Sequence, residues 1–249
     1  MKLIISPAKK MRQDTDTFSA ADRPQFLAQA EEIAAYMRSL DYEACKALWK
    51  CNDELAALNF ERFQTMDFAS AATPALFAYD GIQYQYMAPN VFTDAELGYV
   101  REHLRILSGL YGVLRPFDGV VPYRLEMQAK PVGFKEKTLY AYWGGALADA
   151  LAQDEDCIVN LASKEYSKAV QKYLPDSVRW VDCAFVEKVG DAYKEKATQA
   201  KMARGAMVRY LAEIGAESPE QMRGFTRFDM KYSEALSDEN QFVFVKGAI

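Results

Sequence analysis

Short apolar segments alternate with helical segments along this chain of 249 residues. The strand-like segments, which are apolar or alternating over short stretches, are 2–6, 157–161, 178–186 and 241–246. The helix-like segments, several of them bounded by capping or breaking residues, are 24–40, 93–107, 139–151, 164–174 and 197–214. This arrangement predicts a mixed α/β (α+β) fold, with a central sheet flanked by helices. The length suits one compact domain, residues 1–249.

The composition argues against several classes of function. One histidine and four scattered cysteines cannot supply a recognisable zinc or non-haem iron site, so we expect neither a metal nor a cofactor. The formal net charge of −5 argues against a general nucleic-acid coat, but it leaves room for a local basic cleft. No apolar run approaches the roughly 18 residues of a membrane span, and no leader segment is recognisable. We expect a cytoplasmic monomer with no membrane partner.

Positive charge is concentrated in three arrays. In chain order they comprise Lys9 and Lys10, then Arg105, Arg115 and Arg124, and finally two helical rows, Lys164, Lys168 and Lys172 with Lys201, Arg204 and Arg209. Each such side chain neutralises a phosphate when it contacts nucleic acid. Rows of this kind also occur as ordinary solvated helix faces. Their meaning therefore depends on whether the arrays meet in one cleft.

The segment 103–127 contains a glycine-rich turn. A helix is expected to run to Leu107 and to break at Ser108-Gly109, after which apolar residues resume at Gly112. In a helix-hairpin-helix, a turn of this type offers backbone N–H groups to a phosphate. Pro116 requires the second helix to be short or to begin near that proline. A tight turn with a purely structural purpose is the alternative.

Two further groups of polar residues are candidates for a pocket. Ser6, Asn160 and Ser163 lie where predicted strands end, and ligands of α/β proteins often bind beyond the carboxyl ends of strands. The segment around Asn160 lacks the glycines of a phosphate-binding loop. Arg124 and Glu126 alternate with apolar residues, so we expect them on one strand face. They either pair with each other or leave Arg124 facing a ligand.

Four stretches of the chain resemble the YaaA family of bacterial peroxide-stress proteins. They are Ile5-Ser6-Pro7-Ala8-Lys9, the long central stretch 104–127, Asn160-Leu161-Ala162-Ser163 followed by Glu165-Tyr166, and Ala203-Arg204-Gly205 with Arg209-Tyr210. The resemblance implies a protein that is induced by hydrogen peroxide and limits damage from intracellular iron. It also implies a compact fold peculiar to the family, with a basic cleft and a helix-hairpin-helix element that binds DNA.

The leading hypothesis is therefore a DNA-binding protein of the oxidative-stress response that limits iron-dependent damage to DNA. It would bind double- or single-stranded DNA through phosphates, largely without reading sequence. The predicted contacts are Lys9, Arg105, Gly109, Gly112, Arg115, Arg124, Lys164, Lys168, Arg204 and Arg209.

Two alternatives stay open. The first is an enzyme that acts on a nucleotide-like or phosphorylated small molecule in the same cleft, with Ser6, Asn160 and Ser163 among the residues that line its pocket. No catalytic residue is predicted. The second alternative is direct sequestration of iron by carboxylates, which the shortage of histidine and clustered thiols makes the weakest of the three.

Overall fold

The computed structural model describes residues 1–14, 18–153 and 155–247. The strands are β1 Lys2–Ile5, β2 Lys10–Met11, β3 Thr73–Pro74, β4 Tyr79–Asp80, β5 Leu104–Ser108, β6 Gly112–Leu114, β7 Gly119–Val120, β8 Cys157–Leu161, β9 Arg179–Val189, β10 Ala192–Lys194, β11 Met230–Tyr232 and β12 Gln241–Lys246. The α-helices are α1 Leu27–Ser39, α2 Tyr42–Trp49, α3 Asp53–Thr65, α4 Ala75–Ala78, α5 Ile82–Met87, α6 Asp94–His103, α7 Leu139–Trp143, α8 Ala146–Ala152, α9 Lys164–Gln171 and α10 Ala197–Ile214. Over these ranges no helix has the length and apolar character needed to cross a membrane.

One mixed sheet organises the molecule, which confirms the predicted fold class. Its strand order is β11-β12-β9-β8-β1-β5-β6, and β10 pairs with β9 as a hairpin. The five central strands are parallel, whereas β6 and β11 pair antiparallel at the two edges. Leu3, Ile4 and Ile5 in the middle of the sheet have no solvent-exposed surface. A strand buried on both faces is expected to be continuously apolar, as β1 is.

The connections of the sheet diverge between β1 and β8. The chain returns from β1 to β5 on one side, whereas β8 leads to β9 and β12 on the other. The loops that follow β1 and β8 therefore separate at the carboxyl edge and leave a crevice between them. Ser6 follows β1 and Ser163 follows β8, so both lie at this topological switch point.

The structure corrects the prediction for the glycine-rich segment. The helix that was expected to run to Leu107 ends at His103, and residues 104–108 form β5. Because β5 pairs in parallel with the central strand β1, Leu104, Ile106 and Leu107 lose all exposed surface, which a surface helix does not provide. The helix begins with a capping box, in which Thr93 and Glu96 each accept the backbone N–H of the other.

The predicted helix-hairpin-helix element is not confirmed, for the same reason. β5 and β6 are the two antiparallel arms of a hairpin, with Ser108 opposite Gly112. Gly112 has a φ of +71°, and a Cβ at this position would lie 2.8 Å from the Trp143 ring. A Cβ on Gly109 would lie 2.5 Å from the carbonyl oxygen of Leu125. These glycines allow close packing within the core, and no second helix follows them to present a phosphate-binding turn.

Candidate functional site

A cleft of about 390 Å³ lies at the carboxyl edge of β1 and β8. Its lining comes from the loop after β1, the β4–α5 turn, the extended segment after β7, the start of α9 and the middle of α10. The polar and aromatic residues among them are Ser6, Lys9, Lys10, Asp80, Gln83, Tyr84, Tyr123, Arg124, Glu126, Ser163, Glu165, Tyr166, Lys201 and Arg204. The volume is within the range of roughly 300–1,000 Å³ that is usual for small-molecule sites.

Two serines tie the strand ends together at the cleft. The backbone N–H of Ser163 donates to Ser6 Oγ over 2.8 Å, and the two hydroxyl oxygens are 3.2 Å apart. Tyr84 donates its hydroxyl to the carbonyl oxygen of Ser6 over 3.0 Å. Ser163 is also the N-cap residue of α9, but its side chain makes no capping hydrogen bond. The first turn of α9 therefore begins at the cleft without a side-chain cap.

Asn160 lies within β8 and is not among the lining residues. Its side-chain nitrogen donates to Asp182 Oδ1 over 2.7 Å, and its oxygen accepts the backbone N–H of Ala162 over 2.9 Å. These two bonds shape the end of β8 just before Ser163.

Arg124 and Lys9 share one carboxylate oxygen. Arg124 Nη2 donates to Glu126 Oε1 over 2.9 Å, and Lys9 Nζ is 3.2 Å from the same oxygen. The pairing expected between Arg124 and Glu126 is therefore present. The Arg124 side chain is only 10% exposed, and its Nε is buried without a hydrogen-bond partner among the described residues. Lys9, in contrast, is 65% exposed at the rim.

Arg204 presents a second guanidinium in a similar state. Its Nη2 is 3.1 and 3.3 Å from the two carboxylate oxygens of Glu195. The side chain is 13% exposed, and its Nε also has no partner in the part of the chain that the structure describes. Arg124 and Arg204 approach the cleft from different elements, the segment after β7 and helix α10.

Cationic side chains outnumber carboxylates in the lining of the cleft. Its described lining carries five cationic side chains and three carboxylates, whereas the chain has a formal net charge of −5. Lys10 hydrogen-bonds Asp80 at 2.8 Å and lowers the pKa of that carboxyl. Burial raises the pKa of Glu165, although its Oε1 accepts the backbone N–H of Gln128 over 3.3 Å. Glu165 is thus the lining carboxyl with an increased tendency to hold a proton.

Tyrosines form much of the apolar wall. Tyr84, Tyr123 and Tyr166 line the cleft and are almost entirely buried, which raises the pKa of each phenol. The Tyr123 hydroxyl is 2.8 Å from that of Tyr79 and 2.6 Å from Ser108 Oγ. This buried chain of hydroxyls holds Tyr123 in a fixed position, so the wall is rigid.

Other predicted contacts lie outside the cleft. Arg105 and Arg115 line a separate depression of about 300 Å³, which also includes Lys2. Arg115 pairs with the buried Asp118 at 2.9 Å, and Arg105 Nη1 donates to the carbonyl oxygens of residues 101, 102 and 104. Both arginines therefore have structural partners within the chain.

The helical rows are divided between the cleft and other surfaces. Lys164 and Lys168 are exposed on α9, and the Lys168 ammonium lies 4.2 Å from the centre of the Tyr140 ring. Arg209 pairs with Glu213 at 2.9 Å. Of the third array, Lys201 and Arg204 reach the cleft.

Several lining residues were not among the predicted site residues, notably Asp80, Tyr84 and Glu165. Their role depends on how α5 and α9 pack at the end of β1, which local patterns do not encode. Glu165 lies two residues after the predicted pocket residue Ser163, so its position in the chain was the one available signal. Within the described ranges, no group of three or more His, Cys, Asp or Glu residues is arranged to hold a metal ion.

The fold and the site together define a mixed α/β protein with a polar cleft at its topological switch point. Comparison with known proteins adds the family, because the family model described as "Peroxide stress protein YaaA" matches residues 1–236. The chain belongs to this family, as the resemblance in the sequence implied.

Similar proteins span the whole chain. A UPF0246 protein of Desulfitobacterium hafniense is 51% identical over 99% of this chain and 98% of its own length. A UPF0246 protein of Lachnoclostridium phytofermentans is 49% identical over 99% of this chain and 97% of its own length. A UPF0246 protein of Pediococcus pentosaceus is 48% identical over 100% of this chain and 99% of its own length.

Proposed function

We propose that this protein is a cytoplasmic DNA-binding component of the hydrogen peroxide response, which limits iron-dependent damage to DNA. The observation that carries the proposal is the composition of the cleft, where cations from all three arrays of the sequence lie together: Lys9, Lys10, Arg124, Lys201 and Arg204. Such side chains bind phosphates largely independently of base sequence.

The proposed contact surface is narrower than the ten residues predicted from the sequence. Lys9 and Lys10 are 65% and 77% exposed at the rim, so both can reach a phosphate backbone outside the cleft. Lys164 and Lys168 on α9 are exposed and stay in the proposed surface, because α9 begins at the cleft. Arg105, Arg115 and Arg209 have carboxylate or carbonyl partners elsewhere and are left out of the proposed surface.

Fluorescence anisotropy with a labelled DNA duplex and with a labelled single strand tests the proposal. About four neutralised phosphates would lower the affinity roughly 100-fold between 50 and 200 mM salt. The double variant Lys9→Gln, Lys10→Gln should reduce the slope of log affinity against log salt by about two. Lys46→Gln, which removes a partly exposed lysine of α2 that pairs with Asp53 away from the cleft, is the control. An affinity for DNA that is the same at both salt concentrations would reject the proposal.

The cleft also supports a second candidate function, an enzyme that acts on a nucleotide-like or phosphorylated small molecule. The observation in its favour is Glu165, a partly buried carboxyl with a raised pKa beside cationic side chains. Perturbed carboxyls in clefts are frequent acid–base groups. The test is product analysis after the purified protein is incubated with nucleoside mono- and triphosphates, alongside Glu165→Gln. Turnover that this variant loses would support an enzyme, and the absence of any product would reject it.

A further inference from the structure

We infer that the cleft contains a discrete site for a terminal phosphate, a phosphomonoester held between Arg124 and Arg204. This inference rests on the proposed use of the cleft for phosphate binding. It goes further by naming the chemical group and the two residues that would hold it. The phosphomonoester has two sources with the same chemistry, a free nucleotide and the phosphorylated end of a nucleic-acid strand.

The first argument is that both guanidiniums have an unused donor. Arg124 Nε and Arg204 Nε are two of only four buried side-chain polar atoms without a partner among the described residues. The other two are indole nitrogens, those of Trp49 and Trp180, and neither tryptophan lines the cleft. Buried polar groups in native proteins almost always have a partner, and a charged donor is especially costly to leave unpaired. The two unpaired Nε groups therefore point to an anion as the missing partner.

The second argument is that both guanidiniums are fixed in orientation. Glu126 holds Nη2 of Arg124 and Glu195 holds Nη2 of Arg204. The hydrogen bonds to both carboxylates use Nη2, so each arginine is oriented by its partner while its Nε donor stays unpaired among the described residues. Arginine can bind two groups at once in this way, because the N–H donors of its planar guanidinium are arranged in a rigid fork.

The third argument concerns the kind of anion. A terminal phosphate has three non-bridging oxygens and a charge close to −2 at neutral pH, whereas a phosphodiester has two such oxygens and one charge. The lining has five cationic side chains, among them the two guanidiniums and Lys201, against three carboxylates, and this surplus of two positive charges matches the larger charge. The start of α9, whose N-cap side chain makes no capping bond, adds the positive end of a helix dipole at the same cleft.

The size of the cleft favours an end group over a continuous backbone, because its volume of about 390 Å³ suits one small molecule. The hydrogen bond between Ser163 and Ser6 joins the loops that follow β1 and β8 at the cleft. A strand end or a free nucleotide can enter with its phosphate first, whereas an uninterrupted backbone would have to bend into the cleft and out again. Tyr84 and Tyr166 provide an apolar wall for the attached nucleoside.

Isothermal titration of the full chain with deoxyadenosine 5′-monophosphate, deoxyadenosine and inorganic phosphate tests the site directly. We expect the monophosphate to bind at least tenfold more tightly than the nucleoside. Arg124→Gln and Arg204→Gln should each weaken monophosphate binding at least tenfold, and Lys46→Gln should leave it unchanged. Arg124→Lys keeps a charge beside Glu126 but removes Nε, and it should also bind more weakly. This variant and Arg204→Gln are decisive if Arg124→Gln fails to fold.

A second experiment distinguishes this site from general DNA binding. Duplexes of one sequence with a 5′-phosphate or a 5′-hydroxyl are compared at low salt. Tighter binding of the phosphorylated duplex, lost in Arg124→Lys, supports a strand end as the source. Binding of the monophosphate without binding of either duplex supports a free nucleotide and rejects the DNA proposal alone. Equal binding of the two duplexes, with no measurable binding of the monophosphate, overturns the inference and leaves DNA binding intact.

Discussion

Gly205 of α10 lies directly against the backbone of Gln83 in α5. A Cβ at position 205 would be 2.0 Å from the Gln83 carbonyl oxygen and 3.0 Å from the amide nitrogen of Met87. No side chain fits in this space, so the helix that carries Arg204 and the helix that carries Tyr84 approach each other as closely as two backbones can. The width of the cleft depends on this contact, because Arg204 and Gln83 both line it.

The variant Gly205→Ala should therefore be destabilised, although alanine is normally the better helix former. We expect a loss of about 1–3 kcal/mol in the free energy of unfolding, because the added methyl group forces α5 and α10 apart. Gly98→Ala in α6 is the matched control, since a Cβ there has no atom within 4 Å. That change should be neutral or stabilise by up to about 1 kcal/mol. Urea unfolding of both variants makes the comparison, and equal effects would contradict the close contact.

Replacing Ser6 with alanine should weaken both the fold and the cleft. The change removes the acceptor of the Ser163 N–H, and the loss of this partly buried hydrogen bond costs about 0.5–1.5 kcal/mol. Ser39→Ala, which removes an exposed hydrogen bond to the Tyr36 carbonyl, should cost much less. Thermal unfolding measures both variants. A Ser6→Ala protein as stable as Ser39→Ala would show that the tie between β1 and β8 contributes little.

The pKa of Glu165 predicts a pH dependence of stability. Burial raises this pKa above its usual value near 4.5, so the folded chain binds the proton more tightly than the unfolded chain. The stability contributed by the group is complete below the unfolded-state pKa and is lost as the pH rises through the folded-state value. Glu165→Gln should thus exceed the wild type in stability at neutral pH, with a difference that shrinks towards pH 4.5.

Urea midpoints between pH 4.5 and 8 test this dependence. Glu61→Gln on α3 serves as the control, because its side chain is exposed and should give a small difference at every pH. A gap between Glu165→Gln and the wild type that stays constant across the range would contradict the raised pKa.

Tyr123→Phe should separate stability from binding. The change keeps the aromatic wall of the cleft but removes the hydroxyl that joins Tyr79 to Ser108. Two buried hydroxyls lose a partner, so we expect a cost of about 1–3 kcal/mol. Tyr193→Phe on the exposed hairpin β9–β10 should be nearly neutral. Phosphate binding by Tyr123→Phe should stay within about threefold of wild type, and a loss as large as that of Arg124→Gln would show that the hydroxyl itself takes part.

Segments whose structure is decided locally could be predicted well. The strands 157–161 and 241–246 and the helix 197–214 match the predicted ranges, because each is a clear apolar or amphipathic run between turn signals. Residues 104–108 could not be assigned correctly, since a short apolar run after a helix fits either a helix or a strand. Only pairing with β1, about 100 residues earlier in the chain, makes it a strand.

The residues of the candidate site also fall into those that local sequence could predict and those that it could not. Ser6 and Ser163 were predicted because polar residues that follow strands are informative in any parallel sheet. The meeting of Lys9, Arg124 and Arg204 was not predictable, because it depends on three elements far apart in the chain. The separation of Arg105 and Arg115 from that group has the same cause, since both side chains lie in another depression.

The position of β1 has a consequence for the synthesis of the protein. β1 is synthesised before its two neighbours in the sheet, β5 and β8, and β8 ends only at Leu161. At translation rates of about 5–20 residues per second, β8 is complete roughly 8–30 s after Leu3, Ile4 and Ile5 have been synthesised. During that time an apolar strand with two unpaired edges is available to chaperones and to other nascent chains. The cleft, which needs both Ser6 and Ser163, is therefore among the last parts of the molecule to form.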